Sequence, residues 1–565
     1  MAAKKLRFRD VILSIICVVF TIEACAPAAA IGNSAVFWWL FLLVTFLMPY
    51  GFVVAELGTT YAEGAGVYEW VRDAMGRRWA TREAWYYWVN YFTWLASITV
   101  LFPTTINGIL GFEMPLWVEI LIEMAFIWFV VWTSMQEVGD ISWIMNSGAI
   151  LNVVMAVGIG CLCIWYGSTH GFAEPLTPQS MMPDLTDGNA LTYLSIIIYN
   201  YMGCEVIATF VDSMDNPEKD MPKAIIGGGL TIVAVYLFVS LGISTAVPHD
   251  QINLDSGIAD AVAIMAGERS LPFMLVSVGF LLSLFANMIS WSHGVSSVTN
   301  QAAKEGNLPR IYAKEDAKGR HAGSCVMNGI CASALVLAKP LLESVGVGVF
   351  SIALSLDIVF TLAAYVPMFP AFLKLREIDP DRKRPFRVPG GRVVTRLFCW
   401  VPVVELVVSI VVACIPLNGS ADELSKIPLL IGVVIVIVLG EVIRHVSYGR
   451  ATTRAEILGI ELPKARMGPD VDWRRPRRPR RPKSGEKDEG SCPWPASLCS
   501  EAITSSRPSA RRPRPGTWAS PGGALPTSVP TPSRASGPVR AWSTSVTPSS
   551  APGFMTPMCT TSRPP

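Results

Sequence analysis

Apolar residues along roughly the first 450 positions come in long blocks rather than in alternation. The blocks fall at 11–34, 36–60, 85–110, 116–135, 141–166, 191–214, 223–247, 272–300, 324–342, 346–374, 395–416 and 427–446, with polar segments between them. A helix rises about 1.5 Å per residue and bilayer hydrocarbon is about 30 Å thick, so each block is long enough for one crossing. Hydrocarbon offers backbone amides no partner, and a helix satisfies its own. The pattern therefore predicts an all-α membrane protein with twelve transmembrane helices, numbered here as spans 1–12.

Two spans cannot be continuous apolar helices. In span 6, Ile196–Ile198 gives way to Tyr199-Asn200-Tyr201-Met202-Gly203-Cys204-Glu205 before Val206-Ile207-Ala208 resumes. Gly203 frees the backbone at an interior position, and Asn200 and Glu205 are groups that lipid would not tolerate. In span 1, Thr21-Ile22-Glu23-Ala24-Cys25-Ala26-Pro27 ends in a proline that has no N–H to donate. Non-helical backbone at membrane depth is tolerated where it lines a cavity or is buried in protein. Interruptions at corresponding places in two halves point to an inverted-repeat transporter with its site at the midplane. Spans 1–5 and 6–10 form the five-plus-five repeat, with discontinuous helices 1 and 6 and two extra C-terminal helices. Two kinked helices in an ordinary bundle are the plainer alternative.

Charge sets the orientation. If the N-terminus lies inside, the inside segments hold the clusters Lys4–Arg9, Arg72–Arg82, Lys304–Arg320 and Lys374–Arg396, whereas outside segments hold Arg269, Lys339 and Lys426. That asymmetry places both termini in the cytoplasm and predicts a multi-pass protein of the plasma membrane, here of a bacterial cell. The basic start of span 1 resembles a signal peptide, but the run continues past Pro27 into another span and is read as a retained helix. Trp38, Trp39, Tyr86, Tyr87, Trp88 and Trp165 near span ends read as interfacial aromatics.

Composition adds a boundary. The chain of 565 residues is 51% hydrophobic and 16% charged, and its mean hydropathy is +0.42. The net charge of +2 averages two unlike regions. Residues 1–10 form the N-terminus, 11–447 the transporter domain, 448–463 a connector, and 464–565 an Arg/Pro/Ser-rich tail. The tail cannot build a core and reads as disordered, either a surface for anionic lipid or nucleic acid or an incidental extension; no nucleic-acid partner is expected. The 12 Cys form no CxxC pair and neighbour no His at ligand spacing, so no metal and no cofactor are expected.

Four stretches carry a resemblance. Ala55-Glu56-Leu57 with Gly64–Val71 after span 2, Asn216–Ala224 after span 6, Ala303–Pro309 after span 8 and Arg384–Gly391 after span 10 resemble the loops of the amino acid–polyamine–organocation superfamily, in the right order and on one side. Residues 8–447 are covered, and the Ala55–Leu57 stretch with Ser34–Trp39 looks closest to the glutamate/γ-aminobutyrate antiporter branch. The chain departs from the pattern at Ala62 and Ala65. Where the resembling antiporters carry an arginine it has Glu23.

The resemblance implies a secondary active transporter of amino acids working by alternating access, as an exchanger or a proton-coupled permease. A polyamine or amine transporter, and in a different class a transporter-like sensor, are the alternatives. No nucleophile–base or metal constellation suggests an enzyme, and no filter repeat suggests a channel. A homodimer is left open. Half-helix N-termini suit a substrate carboxylate, and unwound carbonyls suit its ammonium. The expected substrate-binding residues are Glu23, Ala24, Cys25, Ala26, Ala28, Tyr199, Met202, Gly203, Trp94 and Asn287. Glu205, where resembling exchangers hold a proton-sensitive gate, and Tyr199, which resembles an aromatic lid, are the gating or proton candidates. A substrate-facing Glu23 would favour a basic amino acid or an amine. Asp357 and Glu405 are embedded but unassigned, Glu119 and Glu123 read as a solvated vestibule face, and Ser283 and Ser290 are weak sodium-site candidates. Span 5 lacks the lysine that replaces sodium in some proton-coupled relatives.

Overall fold

Among the described residues the chain meets the backbone's demand for partners chiefly with helices, as the blocks predict. The computed structural model describes residues 5–22, 25, 29, 31–62, 66–173, 177–183, 190–247, 257–344, 348–416 and 426–458. Among these, 11 helices are long and apolar enough to cross a membrane, and they correspond to spans 2–12. Span 1 is represented by the half-helix Phe8–Val19, only 12 residues long. Glu23, Ala24, Ala26 and Ala28 lie outside the described residues, as does the tail from 464 onward.

Span 6 breaks where its polar interruption predicts. The helix Ala190–Tyr201 stops, and after Met202 and Gly203 a tighter 3-10 segment, Cys204–Ser213, takes over. Span 2 holds an unpredicted irregularity, a π-helical turn at Leu43–Leu47 between Ala35–Leu42 and Met48–Thr60. Span 12 continues as helix to Leu458, into the stretch read as a connector.

The packing carries the repeat. Span 3 lies along span 10, and its counterpart pair, span 8 with span 5, also packs. Span 1 packs on span 7 as the second half of span 6 packs on span 2, and spans 4 and 9 pack on each other. Exchanging spans 1–5 for 6–10 maps each of these pairs onto another or onto itself, as an inverted repeat requires.

Two helices escaped the hydropathy reading. Val67–Met75 is flanked by Gly66 and Gly76, both at positive φ, and nearly all of its residues are buried despite Glu69, Arg72 and Asp73. It packs against span 3 and against Met368–Ile378, the polar extension of span 10. Gly257–Ala266 packs on span 8 at the other end of the molecule.

On the face that carries the basic loops, the motif residues bind one another. Glu56 accepts from Arg376 Nε at 2.8 Å and from its Nη2, and from the Val388 amide at 2.7 Å, with Arg384 at 3.3 Å. Glu305 accepts from Arg72 and from the Tyr68 hydroxyl at 2.7 Å, and Arg77 donates to its carbonyl at 2.7 Å. Asn307 donates to Tyr68 at 2.6 Å. Buried charges are tolerated when paired and hydrogen-bonded, and these loops supply one another's partners. At the opposite face, Lys339 pairs with Glu119 at 3.0 Å and Glu123 at 3.2 Å. Glu123 is wholly buried, so the expected solvated vestibule is instead a covered ion pair.

Candidate functional site

A helix leaves its last carbonyls without intrahelical donors. At the end of the span 1 half-helix, side chains from distant spans supply them. Asn287 Nδ2 donates to the carbonyls of Cys17 at 2.5 Å and Val18 at 3.0 Å, and Trp291 Nε1 adds a second bond to Val18 at 3.0 Å. Tyr236 of span 7 donates to the Val19 carbonyl at 3.2 Å and accepts from the Thr21 amide at 3.1 Å. Asn152 of span 5 donates to the Phe20 carbonyl at 3.1 Å.

The span 6 break is capped by one residue. The Tyr50 hydroxyl accepts from the amides of Gly203 and Glu205, each at 3.2 Å, and donates its own proton to the Glu205 carboxylate. One donor and two lone pairs are thereby all used. Tyr87 of span 3 donates to the other carboxylate oxygen at 2.6 Å. The ring of Tyr365 stands 5.7 Å from that of Tyr50 and 6.4 Å from that of Tyr87, and Trp291 stands 6.1 Å from Tyr87. Glu205 is thus buried at the centre of an aromatic layer. Tyr87 belongs to that layer, and Trp39 is fully buried, so neither is the interfacial aromatic the sequence suggests.

Gly203 has φ +115°, and a Cβ there would sit 2.9 Å from Trp291 Cζ2 and 3.0 Å from Val18 Cγ1. Only glycine adopts that backbone readily, and only glycine lets the two breaks and span 8 approach so closely.

Beside the breaks lies a cavity of ≈ 320 Å³, at the small end of the range for ligand sites. Its wall runs along span 3 from Asn90 to Leu101 and includes Tyr199, Met202, Asn287 and, from span 10, Asp357. Tyr199 Oη donates to Asp357 Oδ2 at 2.6 Å, and Thr361 Oγ1 donates to Oδ1 at 2.9 Å. Among the described residues of the wall, Asp357 is the one Asp, Glu, Lys or Arg. Asn287 Oδ1 and Asn90 Nδ2 are buried without a hydrogen-bond partner among the described residues, leaving one acceptor and one donor for an occupant.

Of the residues expected from sequence, Tyr199, Met202, Trp94 and Asn287 come together in this wall. Cys25 is fully buried and is not among the lining residues. Gly203 and Glu205 are also absent from the lining; the first shapes the break, and the second sits in the aromatic layer. Glu23, Ala24, Ala26 and Ala28 fall outside the described residues. Ser283 and Ser290 donate back to their own helix, at 2.8 Å and 3.0 Å.

Sequence reasoning left Asp357 unassigned and passed over Asn90, Tyr50 and Trp291. A lone acid inside an apolar span was the available signal for Asp357; the others carried none that separates them from ordinary span residues.

The amino acid permease family model matches residues 6–439. The chain is 41% identical to the probable agmatine/putrescine antiporter AguD of Lactococcus lactis, over 78% of this chain and 94% of that protein. It is 24% identical to a probable polyamine transporter of Arabidopsis thaliana, over 74% of this chain and 78% of that one. It is 21% identical to a glutamate/gamma-aminobutyrate antiporter of Lactococcus lactis, over 63% of this chain and 73% of that one.

Proposed function

Because the chain belongs to the amino acid permease family of the amino acid–polyamine–organocation superfamily, a family of membrane transporters and not enzymes, we propose that it exchanges cationic amines of the agmatine and putrescine class. Asp357 carries this reading. A carboxyl side chain in a small buried cavity, with no Lys or Arg among the described wall residues, offers a counter-charge to a cation and none to an anion. The name of the 41%-identical relative agrees with it.

The alternative, an amino acid with its own carboxylate, calls on the backbone of the two breaks. Much of that backbone already has protein partners: the Gly203 and Glu205 amides are taken by Tyr50, and the Cys17, Val18 and Val19 carbonyls by Asn287, Trp291 and Tyr236. Among the described residues of the two breaks a carboxylate would find few open donors, and its charge would face Asp357. The sequence adds Glu23 in the first break, a second acid where resembling antiporters hold an arginine.

In the mechanism this supports, one ammonium or guanidinium of the substrate pairs with Asp357, beside the Tyr199 ring, whose face favours a cation. Asn287 Oδ1 accepts a further N–H. The Tyr50–Tyr87–Glu205 layer closes the route toward the basic-loop face until the half-helices of spans 1 and 6 move. Exchange follows if that movement needs an occupied Asp357. Uptake of labelled putrescine in proteoliposomes against unlabelled competitors tests the reading: agmatine and cadaverine should compete, and glutamate and γ-aminobutyrate should not. Competition by glutamate as strong as by agmatine would reject it.

A further inference from the structure

Beneath the cavity lies a carboxylate that neither the breaks nor the wall uses. Glu83, in the basic-loop half of span 3, is wholly buried, and both of its oxygens lack a hydrogen-bond partner among the described residues. Other buried acids are furnished with donors: Glu56 by Arg376, Glu305 by Arg72, Glu205 by Tyr50 and Tyr87, and Asp357 by Tyr199. The neighbouring Arg82 gives it no charge, because that guanidinium turns to Glu441 of span 12 at 2.5 Å. A carboxylate held in a protein interior without a donor is costly, and such groups persist where they act.

Placement says on what it acts. Glu83, Tyr87, Asn90 and Trp94 recur at helical spacing on one face of span 3. Asn90 and Trp94 line the cavity, Tyr87 holds Glu205 in the layer below, and Glu83 is one turn below Tyr87, within electrostatic reach of both Tyr87 and Glu205. From Glu83 up to Asn90 the helix rises about 10 Å. The column therefore runs from the substrate cavity through the closed layer toward the basic-loop face.

We propose that Glu83 is a second cation-binding carboxylate for the transported amine, occupied when the site opens to the basic-loop face. This inference rests on the amine reading. When the aromatic layer parts, an ammonium leaving Asp357 meets the acidic side chain of Glu83, dehydrated and without a hydrogen-bond partner among the described residues, on its way to the basic-loop face. The same group captures an amine arriving from that face.

The test is a side-resolved half-saturation measurement with labelled putrescine, in proteoliposomes whose protein orientation has been fixed. Glu83→Gln should raise the half-saturation concentration at the basic-loop face about tenfold and leave the opposite face within about twofold. Glu83→Asp should fall between the two. An equal change at both faces, or none, overturns the inference. So does a Gln variant that keeps both half-saturation values and loses only the response of rate to pH, since Glu83 would then carry a proton. A Gln variant that cannot be recovered folded also overturns it, because neutralising an unpartnered buried acid should not harm the fold. Wild-type protein that carries no putrescine at all would remove the amine reading itself; wild-type uptake with a face-independent Gln effect removes only the role of Glu83.

Discussion

Replacing Asp357 by Asn removes the charge and little else. Asn has the shape of Asp, its oxygen can still accept from Tyr199, and its amide can donate to Thr361, whose hydroxyl rotates to accept. Two unit charges 4 Å apart attract by about 4 kcal/mol at an effective dielectric of about 20. Against the dehydration of both partners, a charge-assisted hydrogen bond contributes about 1.5–3 kcal/mol net. At about 1.4 kcal/mol per decade, the half-saturation concentration for putrescine should rise about 10- to 100-fold. Protein stability should not fall, because a buried ionisable group has become neutral. The assay pairs concentration-dependent putrescine uptake with thermal unfolding of the purified protein. A half-saturation value within twofold of wild type, at equal protein, would show that Asp357 does not face the substrate's charge and would refute the reasoning.

Two further outcomes follow from particular residues. Gly203→Ala places a Cβ against Trp291 and Val18 at φ +115°, a strain of about 1–2 kcal/mol before the contact is counted; lower melting temperature and lost exchange are expected, and a variant normal in both would contradict the close approach of the two breaks. Truncation after Pro463 should leave exchange per molecule unchanged, since residues 464–565 are poor in core-forming residues; loss of exchange at equal membrane amount would give the tail a function.

The fold was legible because membrane insertion writes it into local composition. Polar residues in apolar runs marked the two breaks, and the span 6 helix ends at Tyr201, within the stretch its sequence singles out. The site was legible only in part. Tyr199, Trp94 and Asn287 stood out as polar or aromatic groups on the right spans. The meaning of Asp357 depends on which side of span 10 faces span 3, and that is settled by packing between residues more than 250 positions apart. The same holds for Tyr50, which caps a break 153 residues away and resembles any other span tyrosine. Tyr87 lies in an aromatic cluster near a span end, where the interfacial reading is the natural one. The helix Val67–Met75 was invisible for a related reason: its charged residues look like a solvated loop until Glu305, far along the chain, arrives to pair with Arg72.

The central claim is that the carried species is a cation recognised without a carboxylate of its own. Counterflow tests it most directly: proteoliposomes are loaded in turn with putrescine, agmatine, glutamate or buffer, and uptake of labelled putrescine from outside is followed. The account predicts transient accumulation in vesicles loaded with putrescine or agmatine and none above buffer in those loaded with glutamate. Accumulation driven by glutamate, or none with either amine, would contradict it.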